Sequence, residues 1–292
     1  GVFVGFENNI SISGNTISEI ASATTVEDVF GITLGTATIS TSTFTGNEVT
    51  NATIANNKIG SVRQTATYSA RGIFVAPALS GTNLIANNML SGVSSNGTSG
   101  DFMVGIFIGG GNGSTTKIYY NTITMTSIPP NTGASDKSFA LAIAGTNPVV
   151  DIRNNILYNT QMNGSSNSYA IAYGYTPFTN LTSDHNDYYV SPGATFFVGA
   201  TGGTIAAPVN QVTLANLQAV TQKDGFGLTI PPTFVSTTDL HLVTTTNACL
   251  DGKGVPIPGI TTDIDCQTRN ASTPDMGADE FTGPALAITV AE

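Results

Sequence analysis

The chain has 292 residues, of which only 10% are charged; it carries a net charge of −10, nine Lys plus Arg and no Trp. An average globular domain is roughly 25% charged, so solubility here rests on Asn, Ser, Thr and Gly. Nucleic acid and anionic membrane surfaces both demand clustered positive charge, which is missing, and apolar runs such as FMVGIFI at 102–108 fall far short of the roughly 18 residues of a bilayer span. The expectation is no nucleic-acid partner and no membrane insertion. Starting at Gly1 without an initiator Met or signal peptide, the chain reads as a mature or excised segment.

From the N-terminus, two short patterns alternate. The first is a small residue followed by apolar-x-apolar: Gly1 before VFV, Gly31 before ITL, Gly72 before IFV, Gly105 before IFI, Ala140 before LAI and Ala170 before IAY. The second is apolar-x-x-Asn-x-apolar, centred on Asn15, Asn47, Asn57, Asn88, Asn121 and Asn155, with a degenerate copy around Asn186. From the small residue to its asparagine the offset is 14 to 16 residues, while the copies start 30, 41, 33, 35 and 30 residues apart. The long second unit holds both Asn47 and Asn57, which places an insertion there.

A period near 33 residues also belongs to helical repeats, but the repeated segments are short and rich in Val, Ile, Thr and Phe, separated by Gly, Asn and Ser. They predict an all-β chain: a right-handed parallel β-helix of about six regular coils over 1–190, with an irregular C-terminal capping region over 191–281 completing the solenoid. Within 191–281, TLANLQAVTQKD at 213–224 has helical spacing and Thr213 as N-cap. Residues 282–292 read as a linker or the start of a following module.

Sharp corners between short strands favour Gly and Asn, which tolerate left-handed backbone. Asparagines stacked at one corner of successive coils are expected to bond amide to amide in a ladder. Outward from the first pattern, period-two alternation sends Phe3, Thr33, Phe74, Phe107, Ala142 and Ala172 into one column. Phe3, Phe74 and Phe107 are therefore candidate binding residues for glycan rings or a protein surface, unless loops 94–101 and 129–138 cover them. Asp184-His185-Asn186-Asp187 is the densest polar cluster in the coils. Asp184, His185 and Asp187 are the catalytic candidates if the chain is an enzyme, while a turn is the simpler reading. The threonines of TATISTSTFT at 36–45 raise ice binding as a further alternative, although the array is not repeated.

The Asn-x-Ile coils resemble the pectate-lyase-like right-handed β-helix superfamily. FVSTTDLHL at 234–242 followed by TTDIDCQTRNASTPDMGADEF at 261–281 resembles the closing segment of secreted cell-surface β-helix proteins of Bacteroidota-type bacteria. That resemblance implies an extracellular or cell-surface location more than an activity. Cys249 and Cys266 depart from its pattern, and an exported context implies a disulfide between them. No cofactor is expected, except that calcium has weak candidate ligands in Asp263, Asp265, Asp275 and Asp279. Pairing of such carboxylates with Arg269 is the plainer account. The functional expectation is a non-catalytic extracellular surface module, structural or adhesive, contacting polysaccharide or another surface protein, self-association included. The alternative is a polysaccharide lyase or glycoside hydrolase.

Overall fold

The computed structural model describes residues 1–284 other than 26, 37–47, 99, 111–112, 127–135 and 163. It is an all-β parallel solenoid of about five turns, with one short helix among the described residues. The first sheet stacks Val2–Val4, Val29–Leu34, Ala70–Val75, Met103–Gly110, Ser138–Gly145, Ser168–Gly174 and Phe196–Thr201 in parallel, then adds Val209–Gln211 antiparallel. A second sheet of six strands runs from Ser11–Ser13 to Leu181–Asp184, and a third of six runs from Thr16–Ile17 to Asp187–Val190. A fourth stacks Ile20–Ser22, Val62–Gln64 and Val93–Ser95. Among the described residues no helix is long and apolar enough to cross a membrane.

Each coil buries a layer of Ile, Leu and Val, so that Ile54, Ile85, Ile118 and Ile152 stand in register along the second sheet. The recurring small residue has a steric cause. A Cβ on Gly72 would lie 2.6 Å from Leu90 Cδ2 and 2.6 Å from the Gly105 carbonyl oxygen; on Gly105 it would meet Ile123 Cγ2 at 2.3 Å. The third sheet's apolar side chains therefore press against the backbone of the first at this point.

That contact breaks the period of two. The small residue and its successor both face inward, so outward positions fall on either side of the pair. Two columns result: Phe30, Arg71, Val104, Phe139, Tyr169 and Phe197, and beside them Phe3, Thr33, Phe74, Phe107, Ala142 and Ala172.

Between the second and third sheets the chain turns on a left-handed residue: Gly14, Asn56, Asn87, Tyr120, Asn154 and His185 all have φ between 52° and 68°. The asparagine that follows points inward. Asn15 donates through Nδ2 to Asn57 Oδ1, Asn57 to Asn88, Asn88 to Asn121, Asn121 to Asn155 and Asn155 to Asn186, all at 2.9–3.0 Å. From Asn57 onward, the second amide proton of each goes to an isoleucine carbonyl one coil back. Asn57 is the rung between Asn15 and Asn88, whereas Asn47 lies outside the described residues. The last amide, Asn186, donates to Asp224 Oδ1 at 3.1 Å, so a carboxylate terminates the chain of amides.

Residues 191–224 close this end. Thr213 and Asn216 form a capping box on the helix Leu214–Thr221, whose Leu217 packs against Gly199. Residues 225–281 take a different course, returning along the outside of the coils. Leu228 bonds to Asn186 and Tyr188, Val255 to Asn154, Thr262 to Asn87, and Ala278 to Thr122. Lys58 near the N-terminal end reaches Asp265. In the doublets Asn87-Asn88 and Asn154-Asn155 the first side chain thus grips this strap and the second extends the ladder.

Candidate functional site

The aromatic columns, the polar cluster at 184–187 and the acidic closing segment are the three places where chemistry is expected. On the first sheet, Phe3 is 57% exposed, but Phe74 and Phe107 are 0% and 2% exposed, so of the two alternatives, open platform or covered column, these two rings are covered. Arg71 of the neighbouring column reaches over both rings, and of the two loops expected to cover them residues 99 and 129–135 lie outside the described residues. Arg71, itself fully buried, sets its guanidinium 5.5–5.9 Å from the ring centroids of Phe30, Phe74 and Phe107, with Asp28 at 3.3 Å. Burial pulls the Arg71 pKa down to about 10 against the pull of Asp28. Rings stack from coil to coil, Phe74 on Phe107 at 5.4 Å and Phe139 on Tyr169 at 5.1 Å. At the edge of this cluster a groove of about 540 Å³ opens over Phe102, Phe107, Ala144, Thr204, Ile205 and Ala206. Its described lining holds no ionisable group.

Within the cluster at 184–187, His185 Nδ1 lies 3.4 Å from Asp184 Oδ2, whereas Asp187 is fully buried. Asp184 Oδ1 accepts the backbone N–H groups of His185 and Phe226, and the His185 ring stacks on Phe226 at 4.9 Å. Asp187 is fully buried and accepts from the Ile230 N–H; its burial pushes its pKa up to about 7, and its Oδ2 has no partner. Asp224 is likewise pushed up to about 6 by burial, although Tyr188, Asn186 and Ser183 all donate to its Oδ1. These carboxyls hold turns and the ladder's end.

In the closing segment the four aspartates divide. Asp263 accepts the N–H groups of Asp265, Gln267 and Glu280, and Asp275 accepts those of Gly252 and Phe281. Both therefore order turns. Arg269 lies 4.0 Å from the Tyr120 ring centroid and pairs with Glu280 at 3.2 Å. Asp265 and Asp279 instead converge on His241, and one ligand atom from each of the three lies within 4.8 Å of the others. His241 meets Asp239 through Nδ1 and Asp265 through Nε2. Burial works against the imidazolium, but the bonds to Asp239 and Asp265 outweigh it and raise the His241 pKa. Its ring lines a groove of about 300 Å³ with Thr16, Glu19, Lys58 and Asp239. His241 is not among the ligand candidates expected from the sequence. The only available signal was the local Asp-x-His at 239–241.

Cys249 and Cys266 are both free and exposed, which corrects the expected disulfide. Each occupies its own turn of the strap: Cys249 lies between Asn247 and Leu250, which are bonded to each other, and Cys266 has left-handed backbone with its N–H on Asp263. The threonine run at 36–45 lies outside the described residues except for Thr36. Compared with protein-family models, curated proteins and solved structures, the chain matches none.

Proposed function

We propose that the chain is a non-catalytic extracellular surface module, structural or adhesive, which contacts a polysaccharide along the groove beside Phe102 and Phe107. The observation that carries this reading is the groove itself. It offers apolar surface, threonine hydroxyls and backbone to a sugar ring, with no ionisable group in its described lining to act on one. The asparagine ladder and the strap supply a stiff support, as an adhesive rod requires. The extracellular assignment, and membership of the pectate-lyase-like right-handed β-helix superfamily, are supported by the Asn-x-Ile coils and the closing motif. A polysaccharide lyase or hydrolase is the second reading. It draws on the ionisable groups that meet at His241 beside the smaller groove.

The test is affinity electrophoresis against a panel of neutral and acidic polysaccharides, with Ala206→Arg to block the groove and Val235→Arg as a control. Both sites are exposed, and Val235 is not among the groove's lining residues. Retention by at least one polysaccharide, lost in Ala206→Arg and kept in Val235→Arg, is the expected result. Release of unsaturated products or reducing ends, abolished by His241→Ala, favours the enzyme instead. Retention unaffected by Ala206→Arg excludes the groove as the contact surface.

A further inference from the structure

We propose that His241, Asp265 and Asp279 bind one divalent transition-metal ion, with Asp239 as the residue that positions the imidazole. The three donors come from separate turns of the strap, yet their ligand atoms fall within 4.8 Å of one another, close enough to converge on a single ion. They are held there by the backbone. Asp279 Oδ2 accepts the Leu242 N–H at 2.8 Å, and the Asp265 N–H is tied to Asp263 Oδ1 at 2.9 Å.

The second observation is the rear of the ring. Metal-binding imidazoles almost always donate their other N–H to a carboxylate or carbonyl, which sets the tautomer and raises ligand basicity. Asp239 sits on Nδ1 in that role, leaving Nε2 directed to Asp265. Charge points the same way. Asp239, Asp265 and Asp279, with Asp263 behind them, are faced by His241 and by Lys58, whose Nζ is 3.3 Å from Asp265 Oδ1. The carboxylates outnumber the cations, and a bound dication corrects the imbalance.

The donor set selects the ion. One imidazole nitrogen with two carboxylates suits Zn²⁺, Mn²⁺ or a related first-row metal, whereas Ca²⁺ and Mg²⁺ take oxygen ligands alone. His241 is only partly buried beside the 300 Å³ groove, so water can complete the coordination. An ion here would tie residues 239–241, 265 and 279 of the strap together, with Lys58 of an early coil alongside. The competing account is an imidazolium clamped between two carboxylates with no affinity for metal. This inference stands independently of the polysaccharide reading.

The chain has two histidines, which makes the ring resonances a direct probe. Zn²⁺ added to chelator-treated full-length protein is expected to shift the ring signals of His241, leave those of His185 in place, and bind with one-to-one stoichiometry in calorimetry. His241→Ala and Asp265→Asn should abolish that binding. Asp239→Asn should weaken it about 10–100-fold, the usual effect of losing a carboxylate behind a ligating imidazole. Ca²⁺ should not compete at equal concentration. Because the resonance test uses the unaltered protein, it holds even if a variant folds poorly. Unshifted His241 signals at millimolar Zn²⁺, or one-equivalent binding that survives in folded His241→Ala, overturns the proposal.

Discussion

Replacing Asn121 by Leu tests the ladder where it is most deeply enclosed. The Asn121 oxygen accepts from the Asn88 backbone N–H at 3.1 Å and from Asn88 Nδ2 at 2.9 Å, while its amide donates to Ile85 O and Asn155 Oδ1. Leucine strands both Asn88 donors and frees the Ile85 carbonyl. Asn155 Oδ1 keeps the Asn121 backbone N–H at 2.9 Å and is only half deprived. Two buried donors without acceptors, at about 1–3 kcal/mol each, give a loss of about 2–6 kcal/mol. Asn15 supplies the internal control. Its exposed side chain donates one bond to Asn57 Oδ1, which retains the Asn15 backbone N–H, so Asn15→Leu should cost no more than about 1 kcal/mol. Urea unfolding followed by far-ultraviolet circular dichroism and by tyrosine emission reads both losses. Equal costs at the two positions, or an unchanged midpoint for Asn121→Leu, would refute the reasoning that burial and bond count set the value of a rung.

Two further outcomes follow from the buried acids and the thiols. Asp187 and Asp224 hold their protons more tightly folded than unfolded, so their contribution is full below about pH 4 and is lost as pH rises through about 6 to 7. Stability should therefore fall over that window, by up to about 1.4 kcal/mol per pH unit for each proton released, and the fall should be shallower in Asp187→Asn. A wild-type curve that rises from pH 4 to 7 contradicts this. For Cys249 and Cys266, alkylation of native protein without reductant should add two adducts by intact mass, and a single species resistant to alkylation would restore the disulfide.

A repeat announces itself because each coil contacts its neighbours at a constant phase, and six copies write that phase into the sequence six times. Short β-rich segments, the small residue ahead of each first-sheet strand, and the recurrence of Asn15, Asn88, Asn121 and Asn155 are all local signals of this kind. The N-cap at Thr213 is local too. What tertiary structure decided is everything without a period. Asn57, rather than any residue of the insertion, is seen to follow Asn15 because its coil aligns Ile54 with Ile12. Phe74 and Phe107 are buried, and Arg71, one position outside the recognised motif, lies over both rings. The strap's contacts join Tyr120 to Val255, Thr122 to Ala278, Asn87 to Arg269 and Lys58 to Asp265 across 135, 156, 182 and 207 residues. Each is made once, so no spacing encodes it. His241, Asp265 and Asp279 meet only because the chain folds back along its own coils, and that return path is set by packing against surfaces the repeat had already built.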